Sequence, residues 1–134
     1  MQNTIRNSLS KGQYLYPSDH KDCGENGDFI WSKNGISTLT YQNDGNLVLY
    51  RNGKAVWATG TEEKNAGKAI MQSDGNFVIY TSSDKPIWSS NTYCDNNENA
   101  EIILQDDRNL VIYTTGGKAV WSSGTNYWYI LNPN

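Results

Sequence analysis

Imidazole is almost absent from this chain, His20 being its one histidine. That leaves no histidine pair for a zinc site and little from which to build a base for a serine or cysteine nucleophile. The two cysteines, Cys23 and Cys94, sit in polar, loop-like stretches with no obvious base beside either, which argues against thiol catalysis. Two reduced thiols and one long-range disulfide are both open to such a pair; a bridge closing so long a loop would add roughly 2–4 kcal/mol. Basic clusters are missing as well. With a formal net charge of −3, neither nucleic acid nor an anionic membrane surface is an expected partner. Nothing resembles a membrane span, so membrane insertion is not expected. Met1 to Ser8 lack the apolar run of a signal peptide, so a cytoplasmic, non-classically exported or already mature secreted chain is the expectation. Long runs of Ala, Leu, Glu or Lys are scarce, whereas Asn, Ser, Thr, Tyr, Trp and twelve glycines abound, which favours short strands joined by turns over helices.

What is present is a repeat. Gln-x-Asp-x-Asn-x-Val-x-Tyr occurs as Gln42, Asp44, Asn46, Val48 and Tyr50, as Gln72, Asp74, Asn76, Val78 and Tyr80, and as Gln105, Asp107, Asn109, Val111 and Tyr113. A second shared block follows each copy: Ala55 to Thr61, Pro86 to Thr92 and Ala119 to Thr125. Units of about thirty residues cannot bury their own apolar faces, so the three should share one core. A single domain over 1–134 is expected, with units at about 36–61, 67–92 and 100–125 and a tail at 126–134.

As one long strand, the motif would put its five residues on one face. Asp44-Gly45 and Asp74-Gly75 contradict this, being hairpin punctuation between two strand-like runs. A two-residue turn at Asp44-Gly45 would throw Gln42 and Val48 onto opposite faces. A three-residue loop, Asn43 to Gly45, pairs Gln42 with Asn46, and then Gln42, Asn46, Val48 and Tyr50 share a face with Asp44 at the bend. The opposite face becomes Leu39, Tyr41, Leu47 and Leu49; Ala69, Met71, Phe77 and Ile79; and Ile102, Leu104, Leu110 and Ile112. These largely apolar sets suit a shared core, although the third copy places Arg108 where glycine bends most easily.

Two-residue turns are expected next, at Asn52-Gly53, Asp84-Lys85 and Gly116-Gly117, each leading to a third strand with Trp57, Trp88 or Trp121. One tryptophan per unit points to three indoles meeting near a pseudo-threefold axis; stacking on a sugar is the alternative. Leu9 to Leu15 reads as one opening strand that completes a sheet, and Pro17 to Asp28 as a polar loop. The tail Tyr127 to Leu131 is apolar enough to dock on its own domain or on a partner's sheet.

An amide, a carboxylate, a second amide and a phenol beside a valine suit a neutral polyol, with the methyls against the C–H side of a pyranose. Metal binding would need more carboxylates or histidines per site, and glycoside hydrolysis two carboxyl groups across one bond where each copy supplies one. Asp106 adds a neighbour in the third copy only, and adjacent residues point apart. Asp95 to Glu98 has poor spacing for a calcium loop. No catalytic residue, metal or cofactor is expected.

The triple motif resembles the monocot mannose-binding, or bulb-type, lectin family, over roughly Leu9 to Thr125. The resemblance implies an all-β fold, the β-prism II, with three four-stranded antiparallel sheets about a pseudo-threefold axis, and calcium-independent binding of α-mannosides or high-mannose glycans at up to three sites. It further implies that Asp44, Asp74 and Asp107, with Asn46, Asn76 and Asn109, hold the axial 2-hydroxyl. Gln42, Gln72 and Gln105 would meet the 3-hydroxyl, Tyr50, Tyr80 and Tyr113 the 4-hydroxyl, and Val48, Val78 and Val111 the ring carbons. Three departures stand out. The family's disulfide falls here on Gly45 and a glycine near Gly67. Pro17 to Asp28 and Tyr93 to Glu98 look like insertions. The tail differs, so a homodimer exchanging C-terminal strands does not follow automatically. The alternative is the same scaffold binding a protein, as in bacteriocin-like or cytoskeletal members of the wider family.

Overall fold

The computed structural model describes residues 6–20, 27–94 and 98–126. Cys23, Asp95 to Asn97 and the aromatic tail, on which any exchange of strands between two chains would depend, lie outside these. Among the described residues, in chain order, are twelve strands: β1 (Ser8–Leu9), β2 (Tyr14–Leu15), β3 (Phe29–Trp31), β4 (Ser37–Tyr41), β5 (Leu47–Arg51), β6 (Lys54–Ala58), β7 (Ala66–Met71), β8 (Phe77–Thr81), β9 (Pro86–Ser89), β10 (Glu101–Leu104), β11 (Leu110–Tyr113) and β12 (Ala119–Ser122). They form three four-stranded sheets, β3-β4-β5-β6, β2-β7-β8-β9 and β1-β10-β11-β12, antiparallel at every pairing.

The three-residue loop sets the register in all units. Tyr41 lies opposite Leu47, Met71 opposite Phe77 and Leu104 opposite Leu110. Across each loop Gln42, Gln72 and Gln105 donate their backbone N–H to Asn46, Asn76 and Asn109, at 3.0, 3.0 and 2.9 Å. The last loop residue takes left-handed φ: +92° at Gly45, +90° at Gly75 and +80° at Arg108. This is the bulged hairpin for which glycine is the easy choice. Arg108 accepts the conformation while its guanidinium donates to the Asn126 carbonyl at 2.8 Å.

All twelve residues expected on the inner face are fully buried. They join Leu9, Leu15, Ile30, Ala66 and Ala100 in a core to which every sheet contributes. Trp57, Trp88 and Trp121 close that core, meeting edge to face with centroids 5.8, 5.6 and 6.0 Å apart. Each such pair adds about 0.5–1.5 kcal/mol beyond the area it covers. The rings are half-buried and packed against the core, so the triad is structural.

Three local features differ from the sequence reading. The opening segment is two strands: a turn at Ser10 to Gln13, with Gly12 at φ +82°, carries the chain from β1 on the third sheet to β2 on the second. One continuous strand would have kept Leu9 and Leu15, an even number of residues apart, on one face of one sheet, whereas the turn delivers them to two sheets and buries both. The second turn has two residues only in the first unit, where Arg51 pairs with Lys54. In the others it spans Ser82 to Asp84 and Thr115 to Gly117, closed by Asp84→Thr81 and Gly117→Thr114 backbone bonds, with Asp84 at φ +68° and Gly117 at φ +89°. Finally, β3 completes the first sheet from a stretch that the alternation of one short tripeptide did not reveal.

Candidate carbohydrate site

The outer face of each hairpin gathers its five motif residues, three times over. At each bend the aspartate folds back on its own loop: Asp44, Asp74 and Asp107 accept the backbone N–H of Asn46, Asn76 and Asn109 at 2.9, 3.0 and 3.0 Å through Oδ1. Such a bond fixes the carboxylate without using up its acceptor capacity. Asp44 and Asp107 are exposed, and Asp74 is half-buried.

The glutamine and tyrosine of each unit join across the face. Tyr50 donates its hydroxyl hydrogen to Gln42 Oε1, and Tyr113 does the same to Gln105 Oε1. The Gln42 and Gln105 amide nitrogens therefore turn to the aspartates, lying 3.3 Å from Asp44 and 3.0 Å from Asp107. In the second unit the amide is turned over: Gln72 Nε2 donates to the Tyr80 hydroxyl, which keeps its own hydrogen to give.

Asparagine divides its two ends between fold and solvent. Asn46 Oδ1 accepts from the backbone N–H of Gly60 and Thr61 at 2.9 and 3.2 Å. Asn109 does likewise with Gly124 and Thr125, and Asn76 with Thr92. Its Nδ2 has no partner among the described residues at any of the three positions and is free to donate outward.

Behind the asparagines stands a hydroxyl relay that the sequence reading left without a role. Thr61, Thr92 and Thr125 donate to the carbonyls of Gly45, Gly75 and Arg108 at 2.6, 2.5 and 2.6 Å. Each accepts in turn from the hydroxyl of Thr59, Ser90 or Ser123 at 2.8, 2.8 and 2.7 Å, and those hydroxyl oxygens stand 3.4, 3.2 and 3.2 Å from Asn Oδ1, to which the same single hydrogen can be given instead. The signal was present in the second shared block, where a hydroxyl residue and a threonine two positions later recur behind every motif.

Two expectations are refined. Val48, Val78 and Val111 do lie on the outer face but are only 4%, 3% and 3% exposed. They offer a ring the edge of a methyl rather than a broad patch. The position facing Gly45 is Ala66 rather than Gly67: a Cβ at Gly45 would stand 3.3 Å from that of Ala66. Gly67 has a separate reason to be glycine, since a Cβ there would press within 3.1 Å of the Thr81 carbonyl. Asp106 turns to Asn34, whose backbone and side-chain N–H groups bind it at 2.9 and 3.2 Å. Cys94 is an exposed free thiol. Among the described residues no group of three His, Cys, Asp or Glu comes together as a metal would require.

Three antiparallel four-stranded sheets around one core, with a polar face on each outer hairpin, define a β-prism II architecture. The solved structures agree. A monocot mannose-binding lectin of Gastrodia elata is 40% identical, with a TM-score of 0.74 over 90% of this chain and 99% of that one. The mannose-specific agglutinin of snowdrop, Galanthus nivalis, is 41% identical, with a TM-score of 0.67 over 89% and 96% of the two chains. The chain belongs to the bulb-type mannose-binding lectin family. No family model matches it. Among curated proteins, the B-type lectin plumieribetin of Scorpaena plumieri is 36% identical over 66 residues, 49% of this chain and 58% of that protein. The chain spans about half the length of the curated relatives it matches.

Proposed function

We propose that this protein is a metal-independent, non-catalytic lectin that binds α-mannosides and high-mannose glycans at three sites on one domain. The observation that carries the reading is the triplicate arrangement itself: a fixed carboxylate, an outward asparagine N–H₂ and a Gln–Tyr pair around a valine edge. The snowdrop agglutinin of like fold was solved with methyl α-D-mannoside, and a Polygonatum cyrtonema lectin with a monomannoside.

In this reading each aspartate and asparagine hold the axial 2-hydroxyl, the carboxylate accepting its hydrogen and Asn Nδ2 donating to its oxygen. The glutamine serves the 3-hydroxyl and the tyrosine the 4-hydroxyl. An equatorial 2-hydroxyl would leave the Asp–Asn pair short of its partner, a loss of about 1–3 kcal/mol that favours mannose over glucose. One carboxylate per site offers no acid–base couple, so the sugar is held and released unchanged.

Calorimetry with methyl α-mannoside and methyl α-glucoside tests this. Binding at a stoichiometry of three is expected for the mannoside, unchanged by excess chelator and absent from the folded Asp44→Ala, Asp74→Ala, Asp107→Ala triple variant. Loss of binding on chelation, or binding by the triple variant, would contradict the site.

A further inference from the structure

The three sites share one motif, but the surfaces beside them differ. The outermost strand of each sheet places one residue in the row that crosses the motif valine: Phe29 beside Thr40 and Val48, Tyr14 beside Ile70 and Val78, and Ser8 beside Ile103 and Val111. Two residues on come Trp31, Tyr16 and Ser10. In two sheets this edge is thus an aromatic pair, ring edge to ring face: Phe29–Trp31 at 6.2 Å and Tyr14–Tyr16 at 5.6 Å.

Among the described residues the first pair is the more open. Lys68 covers Tyr14, its Nζ 5.7 Å from the ring centroid, and His20 stacks on Tyr16 at 4.4 Å. Phe29 is 42% exposed. Between the open pair and the motif run Thr38 and Thr40, whose hydroxyls have no hydrogen-bond partner among the described residues; the matching strip is Lys68 and Ile70 in the second sheet and Glu101 and Ile103 in the third. Two strand spacings separate Phe29 from Val48, roughly 9–10 Å. The strip therefore has hydroxyls to bind sugar hydroxyls and ends in aromatic rings to meet the C–H face of a pyranose.

We propose that the first site is an extended oligomannoside site: its motif holds one mannose, Thr38 and Thr40 bind the next residue of the glycan, and Phe29 with Trp31 stacks on a further one. The second and third sites take a single sugar. This rests on the mannoside reading of the motif and adds a difference between sites that the motif cannot encode.

Variants that leave one site intact separate the two ideas. Asp74→Ala/Asp107→Ala keeps the first site, Asp44→Ala/Asp107→Ala the second and Asp44→Ala/Asp74→Ala the third. Each is titrated with methyl α-mannoside and with a linear α-linked mannotriose. The first-site protein should prefer the triose by on the order of tenfold, a difference of about 1.4 kcal/mol, and the other two should show near parity. Adding Phe29→Ser to the first-site protein should bring its preference down to theirs, and adding Thr40→Val should lower it in part. Equal preferences in all three proteins, or a first-site preference indifferent to Phe29→Ser, would overturn the extended site while leaving the mannoside reading intact. Failure of every protein to bind either ligand would overturn both.

Discussion

Asn46 Oδ1 accepts the backbone N–H of Gly60 at 2.9 Å, so a side chain on the outer face of the hairpin also holds the end of its unit in place. Binding and stability can be separated at this residue. Asn46→Ala removes the acceptor for Gly60 and Thr61 and should cost about 1–3 kcal/mol of stability as well as one of the three sites. Asn46→Asp keeps an acceptor for both N–H groups, exchanges the outward donor for an acceptor and sets a second charge beside Asp44. It should lose the same site at a much smaller cost in stability. Paired denaturant and calorimetric titrations check this; an Asp variant as unstable as the Ala variant would contradict the division of labour.

Tyr41 occupies a core position that the other units fill with Met71 and Leu104, and its buried hydroxyl donates to the Gly67 carbonyl at 2.7 Å. Tyr41→Phe leaves that carbonyl without its partner, a loss of about 1 kcal/mol. Burial also pushes the Tyr41 phenol well above its ordinary value. The folded state therefore resists ionisation that the unfolded chain allows. This contribution is intact below the unfolded phenol pKa of about 10 and declines as the pH rises through it. Alkaline unfolding should be shallower for Tyr41→Phe than for the parent. Identical pH profiles for the two proteins would show that Tyr41 does not govern this limb.

Much of the architecture is legible because side-chain period and turn chemistry agree. Asp44-Gly45 and Asp74-Gly75 rule out a continuous strand, and the three-residue loop sorts Leu39, Leu47 and Leu49 inward without further information. The edges are less legible. A strand such as β3, three residues long, has too little alternation to announce itself, and Ser10 to Gln13 is a turn because Leu9 and Leu15 must enter different sheets. The roles of Thr61, Thr92 and Thr125 are likewise tertiary: each reaches a carbonyl some sixteen residues earlier that no local pattern reveals. The division between the sites is hidden for the same reason, since Phe29 reaches the first site only through pairing with Thr40.

Gly45 and Ala66 offer a place to staple the first unit to the second. Their Cβ positions, 3.3 Å apart, lie slightly inside the range that a disulfide prefers, and a Cβ at Gly45, where φ is +92°, also stands 3.1 Å from the Thr61 carbonyl, which must give way. Arg108 shows that the equivalent backbone accepts a side chain, at φ +80°. Gly45→Cys with Ala66→Cys should therefore oxidise to a bridge with a small local shift and add about 2–3 kcal/mol, read as a higher Tm that reductant abolishes. A Tm indifferent to reductant would show that the shift is not available.

Each outer face is shallow, and the valine beneath it is nearly covered, so a single site should hold a monosaccharide weakly. A dissociation constant of about a millimolar corresponds to roughly 4 kcal/mol. The three sites sit on separate sheets of one rigid core and face different directions, which prevents them from closing on one short glycan. They can instead bridge neighbouring chains of a branched mannan. Once one site is engaged, the next binds at high effective concentration, and apparent affinity can rise on the order of 10²–10⁴ without any new contact. Surface plasmon resonance on dense and sparse α-mannoside coatings should show much slower release from the dense surface. The Asp74→Ala/Asp107→Ala protein, with one site left, should lose that difference. Equal release rates for the parent at both densities would rule out multivalent capture, and a persistent difference in the one-site protein would place its origin outside the motif.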